Sequence, residues 1–432
     1  MKLFASIFTF GAFVLLARAE FFEQTREWTF RNNKNVVGVS TNEVYYQSFN
    51  WDVLSDARSD FYNSLQNELG NLINAGINGI WFPPPSQTAD NQGYMPGEWY
   101  NIPGSDQLKS VAANVTQSGL KVIMDIVINH RSAQQVDGCS GQYSIFNNPD
   151  WGNDKVVKHD SLCNGGYTVP DNCGPGNYDT GENTCYCPDV DHTNGQVQND
   201  IINWLNWLQA NYSVTAYRFD FVKGYSGYYV NKYISATSPV FSVGECFDGD
   251  TGVVDNWIQS ASYSSTAFDF PNRYYLKDAI NNNNYGGMEQ GLNPAGVIGV
   301  YPGLACPFLD NHDTSRDDRF CGGDQNKLIQ GYAYILTHPG IPFVFHDDWF
   351  MNPVQQAIKT MISIRKNHQL SSTMDIYIDR HEGGLYAAYM GPGATQVGGG
   401  TVAMKLGTNN WSPSGSSWTL MTSGTNYAIW AR

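Results

Sequence analysis

Lys121-Val122-Ile123-Met124-Asp125-Ile126-Val127-Ile128-Asn129-His130 is the stretch that decides the fold of this chain. From Lys121 to Ile128 the run is mostly apolar and β-branched, too short for an ordinary helix and without the alternation of a half-exposed strand. Such a run is a strand buried on both faces, as in a parallel sheet. It breaks into Asn129 and His130, polar residues at its carboxyl end. Outward from it, comparable runs recur at Val44–Phe49, Ile77–Phe82, Val214–Phe221, Val240–Val243, Thr266–Phe270, Cys306–Leu309 and Phe343–Phe345. Between several of them apolar residues return at helical spacing, as in Phe61, Leu65, Leu69, Leu72 and Ile73, or Val197, Ile201, Trp204, Leu205 and Leu208. Eight strands alternating with helices predict an α/β fold, a closed (β/α)8 TIM barrel.

Two segments break the rhythm. Residues 129–191 are rich in Gly, Asn, Asp and Cys with little periodicity, and read as an excursion from the third strand. After Leu370 strands with Gly-rich turns replace the helices, as in Gly398-Gly399-Gly400-Thr401-Val402-Ala403-Met404, which predicts a small antiparallel β domain over 371–432. At the other end Lys2, the apolar run Leu3–Leu16 and Ala17-Arg18-Ala19 have the layout of a signal peptide over 1–19. The barrel then occupies 20–128 and 192–370. The destination is extracellular or the lumen of a digestive compartment, with no membrane element after cleavage.

With 25 Lys and Arg against 40 Asp and Glu, the net charge of −15 leaves no positive footprint for nucleic acid. An aromatic content of 14% with only 15% charged residues excludes a disordered chain. In an oxidising destination the eight cysteines read as disulfide formers rather than zinc ligands, because no CxxC pair occurs. Cys306 with Cys321 would close a short loop and is expected to pair. The partners of the others stay open, and Cys246 is either a buried thiol or half of a disulfide. Trp99, Tyr100, Trp151, Trp411 and Trp418 are rings that either stack on sugar or pack in a core.

A barrel of this kind carries its chemistry at the carboxyl ends of its strands. Four of those ends hold unusual residues: Asn129 and His130 after the third, Arg218 and Asp220 on the fourth, Glu245 after the fifth, and His312 and Asp313 after the seventh. Arg218 and Asp220 are two apart and share one strand face, so the guanidinium favours the charged carboxylate that a nucleophile needs. Glu245 lies among Val243, Gly244 and Cys246, a setting that favours the protonated form of an acid. Asp313 adds negative charge where a sugar cation would develop, and His130 and His312 can hydrogen-bond hydroxyls. A nucleophile and a proton donor flanking a sugar bond make a retaining glycosidase.

These four stretches, DIVINH (125–130), YRFDFVK (217–223), GECFD (244–248) and FLDNHDT (308–314), resemble in order and spacing the signature regions of the α-amylase family, glycoside hydrolase family 13. WFPPPSQTADNQGYMPGEWY (81–100), FDFP (268–271), HPGIPFVFHDDWF (338–350) and the terminal NYAIWAR are similar to the plant-type members. The resemblance implies Asp220 as nucleophile, Glu245 as acid/base and Asp313 as transition-state stabiliser. It places Tyr94 beneath the sugar with Met95 beside it, Arg218, His130 and His312 around that sugar, and Lys223 on the leaving-group side. It also implies one calcium ion, held by side-chain oxygens of Asn129, Asp179 and Asp189 and by carbonyls of Glu182 and Gly224. The implied activity is secreted, endo-acting hydrolysis of α-1,4 bonds in starch, glycogen and malto-oligosaccharides by a monomer. An α-glucosidase or transglycosylase of the same family is the alternative, and a non-catalytic carbohydrate-binding relative is a third reading, against which all three carboxylates stand.

Overall fold

The computed structural model describes residues 40–52, 58–160, 167–184 and 187–432. The expected signal peptide, Cys163 and Cys185 lie outside the described residues. Eight short strands form one parallel sheet: β1 (Tyr45–Gln47), β2 (Gly79–Phe82), β3 (Lys121–Ile126), β4 (Ala216–Phe219), β5 (Phe241–Gly244), β6 (Thr266–Phe268), β7 (Ala305–Cys306) and β8 (Phe343–Val344). The pairing order is β7-β6-β5-β4-β3-β2-β1-β8. Ile341 N donates to Ala305 O (2.9 Å) and Phe343 N to Pro307 O (3.0 Å), which brings β8 back beside β7 and closes the barrel. Each strand is followed in the chain by a helix: α1 (Arg58–Ala75), α2 (Ser105–Gln117), α3 (Gly195–Tyr212), α4 (Gly227–Thr237), α5 (Thr251–Ser260), α6 (Phe270–Asn282), α7 (Gln325–Thr337) and α8 (Val354–Asn367). The expected eight strands are all present. Several end earlier than their apolar runs, because the chain leaves the ladder at the mouth: β3 stops at Ile126, and Val127–His130 turn toward the site.

The helices follow from local chemistry. Asn194 caps α3 by accepting from Gln196 N (2.9 Å), and Val197, Ile201, Trp204, Leu205 and Leu208 form its buried stripe. After α8 the chain makes an antiparallel sheet of β9 (Ile376–Glu382), β10 (Leu385–Met390), β11 (Val402–Leu406), β12 (Thr419–Gly424) and β13 (Tyr427–Ala431), in the order β9-β10-β11-β13-β12. Among the described residues no helix is long and apolar enough to cross a membrane.

His338, just after α7, joins that helix to the C-terminal sheet. Its ring stacks on Tyr334 at 3.7 Å, and Nε2 meets Tyr386 Oη of β10 at 2.8 Å. Burial, chiefly, pushes its pKa down to about 3. The folded state therefore refuses a proton that the unfolded chain accepts below about pH 6.5, so the contribution of this residue to stability falls as pH drops from there toward 3, by up to ~1.4 kcal/mol per unit. Buried His192 and His312 add to that slope and the raised acids oppose it, so the measure is the difference between wild type and His338→Asn: melting curves should show wild type losing stability relative to the variant as pH falls.

Among the described residues the cysteines depart from the disulfide expectation at four positions, Cys187, Cys246, Cys306 and Cys321, all free and buried. Cys139 and Cys173 form a disulfide that staples the excursion. Cys306 and Cys321 do not pair: both are free and buried. Cys306 lies in β7 and its Sγ points at Thr266 Oγ1 (3.2 Å), across the ladder to β6, while Cys321 Sγ lies 3.8 Å from Lys277 O on α6. Short sequence separation suggested a loop; the strand carries one thiol into the barrel wall and away from the other. Cys246 is a free buried thiol.

Candidate active site

Arg218 is the hub of the barrel mouth. It is fully buried at the end of β4, and one Nη1 lies 2.8 Å from Asp125 Oδ1 and 2.6 Å from Asp220 Oδ1. Nη2 lies 2.7 Å from Glu245 Oε1, an ion-pair contact whose angle is not that of a hydrogen bond. β3, β4 and β5 pair side by side in register, Asp125 opposite Arg218 and Arg218 opposite Val243, which is why residues distant in sequence converge on one guanidinium. Asp125 also accepts from Trp81 Nε1 (3.0 Å) and Tyr94 Oη (2.8 Å).

One guanidinium cannot neutralise every acid around it. Burial, opposed by Arg218 and aided by Asp220 and Asp313, pushes Glu245 well above the usual carboxylate range. Burial moves Asp125 up to about 7 in the same way. Asp313 keeps a third of its side chain open, yet the walls around it push it up to about 6. Glu245 Oε2 accepts from Phe221 N (3.1 Å), which fixes the carboxyl beside Asp220. The site thus sets an acid that holds its proton more tightly than an ordinary carboxyl beside a carboxylate paired with arginine, two environments set apart by their surroundings.

The rings form a shelf. Tyr94 and His312 stack 4.9 Å apart at 5°, and Trp51 lies parallel to both. Burial and Arg218 keep His312 neutral. Its Nδ1 takes the hydrogen bond from Gln47 Nε2 (3.0 Å), which leaves the proton on Nε2, 3.3 Å from Asp313 Oδ2. His130 Nε2 donates to Tyr94 O (2.7 Å) and so ties the end of β3 to the loop that carries Tyr94; Met95 follows on that loop. Lys223 stands outside the cluster, 3.1 Å from Asp248 and 3.2 Å from Glu182. Trp99 and Trp151 are buried around the Arg131 guanidinium, 4.8 and 4.5 Å from it, and are packing rings rather than sugar platforms.

A second polar cluster lies against the site. Asn129 Nδ2 donates to Asp189 Oδ1 (2.8 Å), while its Oδ1 is buried without a hydrogen-bond partner. Asp189 N donates to Asp160 Oδ2 (3.1 Å), and burial with the charges of Asp160 and Asp179 pushes Asp189 up to about 9. A Cβ on Gly224 would sit 2.0 Å from that orphaned Asn129 oxygen, and one on Gly181 would meet Gly224 and Lys223 backbone at 2.4 Å. Glu182 N donates to Lys223 O (2.8 Å), laying the excursion along 223–224. A buried oxygen with nothing to accept and carboxylates that repel one another fit a hard, oxygen-seeking dication. Asp160 was not foreseen from sequence, because the excursion has no periodicity to place it; Asp125 was visible as the first letter of DIVINH.

A closed parallel barrel with three acids, a buried arginine and a ring shelf at its carboxyl mouth defines a glycosidase. The description "Alpha amylase, catalytic domain" matches residues 44–350, and "Alpha-amylase C-terminal beta-sheet domain" matches residues 367–431. The chain belongs to the α-amylase family. It is 36% identical to "Probable alpha-amylase 2" of Arabidopsis thaliana over 90% of this chain and 94% of that protein. It is 32% identical to "Alpha-amylase 3, chloroplastic" of the same plant, over 90% of this chain and 44% of that one. Among solved structures an Anoxybacillus α-amylase superposes with a TM-score of 0.66 at 16% identity, covering 90% of this chain and 98% of the other, a likeness of fold.

Proposed function

We propose that this glycoside hydrolase is a secreted, calcium-stabilised, endo-acting α-amylase that cleaves α-1,4 bonds of starch, glycogen and malto-oligosaccharides with retention of configuration. The observation that carries the reading is the Arg218 hub, with the ionisable pair Asp220 and Glu245 on one guanidinium and Asp313 beside His312 of the ring shelf. In the first step Asp220 attacks the anomeric carbon while Glu245 gives its proton to the departing glycosidic oxygen. In the second, Glu245 takes a proton from water, whose oxygen displaces Asp220 and restores the α configuration. Asp313 stabilises the positive charge on the sugar ring, and His312 Nε2–H is placed to meet a sugar hydroxyl or Asp313. Tyr94 supports the sugar face, held in place by His130 and Asp125. Lys223 stands toward the leaving-group side.

Asn129, Asp179 and Asp189 through side chains, with Glu182 and Gly224 through carbonyls, would hold one calcium ion; Asp160 stands beside Asp189 as a further candidate. Bound there, the ion supplies positive charge that offsets the excursion's buried carboxylates. Secretion is supported by the N-terminal signal layout and by the disulfide of the excursion, a bond that persists in oxidising compartments.

Proton NMR of a fresh digest of soluble starch, with product sizing, tests the reading. Early α-anomeric oligosaccharides of mixed length are expected. First-formed β anomers would exclude the two-step mechanism, and glucose alone from the outset would exclude endo cleavage.

A further inference from the structure

We infer that Arg319 is a positioning residue that clips together the three mouth loops flanking Asp313. Its Nε lies 3.5 Å from Asp310 Oδ2 in the loop after β7, its Nη2 2.5 Å from Asp348 Oδ1 and its Nη1 3.7 Å from Asp347 Oδ2 in the loop after β8. Asp347 Oδ1 in turn accepts from Asn50 Nδ2 (2.7 Å) in the loop after β1. The next residue there is Trp51, whose ring lies at 7° to His312 and under the guanidinium of Arg316. Asp310 also accepts from Thr314 Oγ1 (3.1 Å) and Phe320 N (3.0 Å), closing the loop that carries His312 and Asp313 on itself. Asp348 is held from the other side by Tyr332 Oη (2.7 Å).

Arg319 is six residues from Asp313 and none of its contacts reaches the Arg218 hub. Its effect passes through the loops. A planar fork with donors in several directions can hold acids on two loops at once, which a point charge on a flexible stem cannot. Without it the loop of Asp313 keeps Arg273, 3.0 Å from Asp310, and its own internal bonds but loses its tie to the loop after β8, so Asp313 and the Trp51 ring are less firmly fixed relative to each other. A displacement of about 1 Å at a reacting group can cost ~10²-fold in rate.

The inference rests on the proposed role of Asp313, and the test separates the two. Arg319→Met, Arg319→Lys and, as a control, Lys277→Met are compared on a chromogenic maltoheptaoside below each variant's melting temperature. Lys277 pairs with Asp318 of the same loop but touches neither of the other two. Arg319→Met is expected to lower kcat by roughly 10- to 100-fold with KM changed by less than about threefold. Arg319→Lys should recover part of the loss, and Lys277→Met should leave kcat within about twofold. Amide exchange over residues 311–316 should quicken in Arg319→Met but not in Lys277→Met, whose own partner Asp318 lies beyond that window. Wild-type kcat in folded Arg319→Met, an equal loss in Lys277→Met, or unchanged exchange would overturn the clip. Full activity in Asp313→Asn would instead overturn the role given to Asp313.

Discussion

Glu245→Gln is expected to lower kcat on soluble starch by ~10²–10⁴-fold or more while leaving KM near its wild-type value. The amide keeps the shape of the side chain and can still accept from Phe221 N, so the site should remain assembled. What it lacks is the proton. Glu245 holds its proton more tightly than an ordinary carboxyl because burial and the charges of Asp220 and Asp313 outweigh the pull of Arg218. The wild-type rate should fall as pH rises through the raised pKa of this acid, since the reactive form is the protonated one, and the variant should lack that limb. Leaving-group dependence makes the test sharper. α-Maltosyl fluoride departs without protonation, so Glu245→Gln should lose far less on the fluoride than on starch. Asp220→Asn should be silent on both, because it removes the attacking atom. A Glu245→Gln enzyme within tenfold of wild type on starch would refute the acid assignment.

The same convergence explains what was readable in the sequence. Each residue proposed as catalytic stands at the end of its own apolar run, so the strand pattern that predicts the barrel also points to Asp220, Glu245 and Asp313. Tyr94, His312 and Arg218 follow from the motifs in which they sit. Less legible is how those ends are wired. Trp81 and Tyr94 donate to Asp125 from β2 and its loop, and Gln47 reaches His312 from β1; these are contacts across the barrel with no trace in local spacing. The Cys306–Cys321 expectation failed for the same reason, since proximity in sequence says little once a strand turns one side chain into the wall. Asp160 lies in a segment whose conformation is set by a disulfide and hydrogen bonds rather than by hydrophobic period, and such a segment offers no pattern to read.

Exhaustive chelation is expected to destabilise and silence the protein together. Asn129 immediately precedes His130, which holds the Tyr94 loop, and Gly224 lies four residues beyond Asp220. An ion joining these segments to Asp189 would brace the excursion against both β3 and β4. In its absence the buried acids Asp160 and Asp189 and the half-buried Asp179 lose that cation, and burial first, then the charges of Asp160 and Asp179, raises the pKa of Asp189. A ligand that binds only the folded state stabilises it by about 2.7 kcal/mol at a hundred times its Kd. Chelation should therefore lower the melting temperature, open residues 129–191 to protease before the barrel, and reduce activity. Calcium should restore all three; magnesium should do so poorly, because it demands a smaller and stricter octahedral set of oxygens. Asp189→Ala should mimic chelation in the presence of calcium. Asp278→Ala, which removes an exposed acid on α6 bonded only to Asn282 of its own helix, should not. If elemental analysis finds no metal in the purified enzyme, and its melting curve and activity survive chelation unchanged, the ion has no place in this protein and the excursion is held by its disulfide, its hydrogen bonds and the packing of residues such as Phe146, Trp151 and Val156.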